Sequence, residues 1–94
     1  MFFSMLVHNN TDAAVFLVGT ISSCNGPKET TPNDLCTISP GETKTYPLYG
    51  PGRAFVAVAY ALDDRREVGR IHHKGKTGHT YRWTVGEPGV KEVD

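Results

Sequence analysis

Ninety-four residues carrying ten basic and ten acidic side chains make one small domain with no net field to steer it towards nucleic acid or a membrane surface. A hydrophobic content of 38% and a charged content of 21% describe a soluble globule and exclude a disordered chain. No run approaches the roughly 18 consecutive apolar residues of a membrane-spanning helix.

The opening Phe2-Phe3-Ser4-Met5-Leu6-Val7 lacks the basic start and small-residue cleavage site of a signal peptide. It reads as a first strand, with Phe3, Met5 and Val7 on one face and Phe2, Ser4, Leu6 and His8 on the other. Residues 9–12 have the Asn and Asp composition of a turn, and Asn9-Asn10-Thr11 also fits the N-glycosylation sequon. Residues 13–21 are apolar on both faces and predict an interior strand. A long loop follows over 22–34, then a short strand over 35–38 and a Ser39-Pro40-Gly41-Glu42 turn. Residues 44–49 are extended, and Pro47 places them at a sheet edge because it cannot donate to a ladder.

The longest apolar run begins at Phe55. Its large residues Val56, Val58, Tyr60 and Leu62 alternate with Ala57, Ala59 and Ala61, which predicts a central strand with a bulky face and a thin face. Tyr60 and Trp83 are expected to share the core. Asp63-Asp64-Arg65-Arg66 is a tight turn into a strand over 67–73. In the last strand His79, Tyr81, Trp83 and Val85 alternate with Thr80, Arg82, Thr84 and Gly86, so the first set faces inward. With 74–78 as a five-residue hairpin loop, Arg70 faces Arg82, Ile71 faces Tyr81 and His73 faces His79. Val68 then falls on the wrong parity, which a bulge at Gly69 corrects. Residues 1–86 form the domain, and 87–94 read as a C-terminal tail.

Several chemistries are open to these residues. A Cys24–Cys36 disulfide would close a loop of 13 residues and be worth about 3 kcal/mol. A bridge would point to a compartment outside the cytoplasm, and free thiols to the cytoplasm. Gly75-Lys76-Thr77 is not a phosphate loop, because the preceding Gly69 stands at the wrong spacing and no helix follows. His73 and His79, as cross-strand neighbours, could reach one metal, but a site needs at least a third ligand. No cofactor is therefore expected. Arg70, His72 and Arg82, with Lys74 and Lys76 at the tip, would form a basic outward face able to take an anionic partner. Tyr81 and Trp83 point the other way, which disfavours nucleic acid. No nucleophile elbow or convergent acid and base pattern appears, so an enzyme is not expected.

Ile38-Ser39-Pro40-Gly41-Glu42-Thr43-Lys44-Thr45-Tyr46, followed by a glycine turn and Phe55-Val56-Ala57-Val58, resembles the hairpin of small immunoglobulin-like modules of the PEGA type. The resemblance covers about a quarter of the chain and implies a non-catalytic scaffold, without transferring any functional residue.

The combined reading is all-β: a single small antiparallel β-sandwich, immunoglobulin-like, of six or seven strands, with a barrel as the alternative. The expected function is a non-enzymatic interaction module binding a macromolecular partner, most naturally a protein, through loops or a sheet edge. The alternatives are a small-ligand or metal binder through the His-rich hairpin and a weak nucleic-acid or polyanion binder through its basic face. A monomer and an edge-paired homodimer both fit.

Overall fold

The computed structural model describes residues 2–19, 36–49 and 54–93. These residues form eight strands: β1 (Phe2–Asn9), β2 (Val15–Gly19), β3 (Thr37–Ile38), β4 (Thr43–Tyr49), β5 (Ala54–Ala61), β6 (Glu67–Lys74), β7 (Thr80–Val85) and β8 (Val90–Val93). They make two four-stranded sheets, ordered β4-β1-β7-β8 and β3-β2-β5-β6, rather than a closed barrel. Every pairing is antiparallel except β1 with β7, which is parallel. β4 lies at the edge of its sheet, as Pro47 requires. The stretch read as a tail is partly structured, since β8 pairs with β7 from Trp83↔Val90 to Thr80↔Val93.

The core lies between the two sheets and follows the period-2 pattern of the strands. Phe3, Met5 and Val7 of β1 are buried, as are Tyr46 and Leu48 of β4 and Tyr81, Trp83 and Val85 of β7. Burial, with Glu42 as a secondary cause, pushes the Tyr46 phenol up to about 12. Trp83 is 3% exposed, as expected for a core residue.

β5 turns the opposite way from the expectation for Tyr60. Its inward set is Phe55, Ala57, Ala59 and Ala61, and Tyr60 lies half-buried on the outer face of the sheet. There it stacks on Phe16 at 5.3 Å between centroids, and the Arg65 guanidinium lies 5.8 Å from the Phe16 centroid. The reason is volume. The facing sheet already supplies Met5, Tyr46, Tyr81 and Trp83 to the interior, and large residues on one layer call for small ones on the other.

Among the described residues Asn9 is the buried polar one, at the end of β1. Its Nδ2 donates to the carbonyls of Ala13 and Ile38, both at 2.9 Å. Its Oδ1 accepts from the Thr11 N–H at 2.9 Å and the Thr11 hydroxyl at 2.6 Å. Its backbone N–H donates to Glu42 O and its carbonyl accepts from Gly41 N–H, at 3.0 and 2.8 Å. One side chain thus ties the end of β1 to β3 and to the turn before β2, and the main chain ties it to the turn before β4. With both amide hydrogens committed inside the protein, the Asn9-Asn10-Thr11 sequon is a structural motif in the folded chain.

Candidate functional site

The β6–β7 hairpin expected from the sequence does not form. β6 pairs with β5, with Ile71 opposite Ala57, while β7 pairs with β1 and β8. The chain between Lys74 and Thr80 therefore crosses from one sheet to the other. Ile71 and Tyr81 both face inward, and two inward faces close a core across the sandwich rather than side by side. Gly75 sits in the crossing because a Cβ there would overlap the Phe3 ring. The bulge expected at Gly69 is present but faces β5: Ala59 pairs with Gly69 and Tyr60 with Glu67, leaving Val68 as the extra residue.

The crossing divides the basic residues. Arg70, His72 and Lys74 lie on the outer face of the β6 sheet, opposite Val58, Val56 and Ala54. Arg82 lies on the outer face of the other sheet, between Leu6 and Lys91, and Lys76 is exposed in the connection. Arg70 is answered by Glu67 through Nε–Oε2 and Nη2–Oε1 contacts of 2.9 and 2.6 Å. That hydrogen-bonded pair holds the Glu67 carboxyl below the usual carboxylate range and raises the Arg70 guanidinium. Arg82 has a like-charged cross-strand partner in Lys91. Both line a hollow of about 280 Å³ beside Glu87, whose carboxylate accepts from Asn10 Nδ2 at 3.0 Å.

The two histidines meet on Tyr81 rather than on each other. The His73 ring packs edge-on at 4.4 Å between centroids, and the His79 ring stacks at 6.3 Å. His79 Nδ1 is 2.9 Å from Glu92 Oε1, and the Tyr81 hydroxyl accepts the Lys76 N–H at 2.9 Å. His73 Nε2 is buried without a hydrogen-bond partner. Among the described residues no group of three or more His, Cys, Asp or Glu could hold a metal ion. His8, far from this pair in sequence, bonds Thr43 Oγ1 through Nδ1 at 2.8 Å. Cys36 is buried in the core and is not a free thiol; Cys24 and the loop over 22–34 lie outside the described residues.

Among the described residues a cleft of about 550 Å³ lies where the sandwich opens between β6 and the turn leading into β8. Val68, Ile71 and Trp83 supply its apolar lining, Arg70 and His72 belong to the β6 wall, and Glu87 belongs to the opposite wall. Gly69 keeps the cleft passable for Trp83, since a Cβ there would stand 3.2 Å from Cζ2. Sequence reasoning found the β6 residues but missed the wall formed by 86–90. The signal was present in Gly86-Glu87-Pro88-Gly89 followed by the Val90-Lys91-Glu92-Val93 alternation, a turn and a short strand.

The four edge strands differ in how they are guarded. β3 is two residues long and β8 four. β4 has seven but carries Pro47. β6 has eight without proline, and among the described residues it is paired on one side only. Short length and proline are the usual protections against strand addition. β6 has neither, and its bulge disturbs only the Val68 end.

No protein family, characterised protein or solved structure matches this chain.

Proposed function

We propose that this domain is a non-enzymatic interaction module that receives an extended segment of a protein partner along the edge of β6 that is unpaired among the described residues. The observation that carries the reading is the coincidence of the longest proline-free edge among the described residues with a cleft of polar walls whose floor reaches Val68, Ile71 and Trp83. In strand addition the main chain of β6 would supply affinity, and the cleft would select the side chains that point into it. An immunoglobulin-like reading of the two-sheet architecture and the PEGA-type resemblance of 38–46 and 55–58 favour the same role, a scaffold that binds.

The test is a displayed library of extended peptides, with the binding surface mapped by amide chemical shifts on labelled protein. Shifts concentrated in β6 and residues 86–90 are expected. Binders that perturb only the outer face of the β4-β1-β7-β8 sheet would overturn the reading. They would favour a second one, recognition of an anion at Arg82 and Lys91, which the unanswered like-charge register supports. Steep salt dependence would accompany that outcome.

A further inference from the structure

We infer that the segment accepted by β6 is acidic on one face and apolar on the other, and that β6 is built to reject a second copy of itself. This rests on the edge reading above and specifies the partner.

A strand added to β6 extends the β3-β2-β5-β6 sheet, so its side chains alternate between the outer face and the cleft. On the outer face the row it meets is Arg70, His72 and Lys74, all exposed and spaced two residues apart. Residues directly opposite across a ladder have Cβ atoms about 4.5–5.5 Å apart, where unlike charges attract and like charges repel. Carboxylates at alternate positions of the incoming strand therefore match this row. The intervening side chains point towards the lining of Val68, Ile71 and Trp83 and are favoured when apolar. Glu67 shares the outer face but engages Arg70, and the bulge at Val68 separates it from the regular ladder.

Self-pairing fails on the same row. Over 69–74, any register that keeps inner faces aligned sets Arg70, His72 and Lys74 of one copy against the same three residues of the other. No carboxylate occurs in that stretch. An edge with neither proline nor short length is thus protected against its own copies by charge of one sign, which is a known device of exposed edges.

Three eight-residue sequences fused to one soluble carrier test this: Glu alternating with Val, Lys alternating with Val, and the first composition rearranged into one Glu block and one Val block. Affinity is measured at low salt by titration and the binding surface by amide shifts. The alternating acidic sequence should bind at β6 about fivefold more tightly than either of the others, the sum of modest cross-strand contacts to Lys74, to His72 and to an Arg70 shared with Glu67. Lys74→Glu should remove about threefold of that preference, because one of the three pairs is reversed. Equal affinity of all three sequences at β6 would overturn the acidic pattern and leave the edge reading standing. Shifts absent from β6 for every sequence would overturn both. A concentration-dependent dimer with β6 amides protected against exchange would overturn the rejection of self-pairing.

Discussion

At the end of the sandwich where β1 finishes, the buried side chain of Asn9 has a partner for each of its polar atoms. At the end where β1 begins, the imidazole of His73 has a buried Nε2 with none. The first end joins strands of both sheets through one amide. The second is held by ring packing among Phe3, His73, His79 and Tyr81 and adjoins the open cleft. A satisfied buried polar group fixes one arrangement, because any other leaves donors or acceptors stranded. Ring contacts in a partly open region impose a weaker condition. The Asn9 end therefore sets the register of the fold, and the His73 end is where the surface can be altered at small cost.

The largest effect is expected from Asn9→Leu, which strands the Thr11 N–H, removes the amide donor from the Ile38 carbonyl and leaves the Ala13 carbonyl with the Thr11 hydroxyl alone. A loss of about 3–5 kcal/mol in denaturant unfolding is expected from several unsatisfied groups together. A loss below about 1 kcal/mol would erase the contrast between the ends. Gly75→Ala tests the other end, where the Phe3 ring must move to admit a Cβ. A cost of about 1–3 kcal/mol, typical of overpacking, is expected.

His73→Phe should go in the opposite direction. It keeps an aromatic ring against Tyr81 and removes a buried nitrogen without a partner, so stability should rise by about 1 kcal/mol in a thermal melt. A fall of similar size would show that the imidazole is better satisfied than its geometry indicates. The smallest effect belongs to Glu92→Gln, which weakens an exposed contact with His79. The change should stay within about 0.5 kcal/mol, since exposed ion pairs contribute little.

Face assignment was the legible part of the sequence. Alternation of apolar residues places Phe3, Met5 and Val7 inward, and likewise Tyr81, Trp83 and Val85, because a period of two is a local property. Which sheet a strand joins is not local. Ile71 and Tyr81 read as neighbours on a hairpin, yet they face one core from two sheets, and alternation looks the same in both cases. The orientation of β5 was equally hidden, because its thin face becomes the inner one only when Met5, Tyr46 and Trp83 fill the opposite side. The Asn9 role was masked by a turn-like composition, although buried amides at strand ends follow the same hydrogen-bonding rules as turns. The β6 wall of the cleft was visible as a charged strand; the opposite wall was hidden in a segment too short and glycine-rich to stand out.

The parallel ladder between β1 and β7 bears on how the chain is made. During synthesis β1 emerges before its partners and gains β4 on one side once residue 49 has left the ribosome. Its other side has no partner until residues 80–85 follow. At about 5–20 residues per second, that wait lasts roughly 2–7 s. Throughout it, the apolar row of Phe3, Met5 and Val7 adjoins an unfilled strand edge, the kind of surface that associates with other nascent chains. Translation speed between residues 49 and 85 and the supply of holding chaperones should therefore govern soluble yield more strongly than the stability of the finished domain. Chains terminated before Thr80 should be recovered as aggregate.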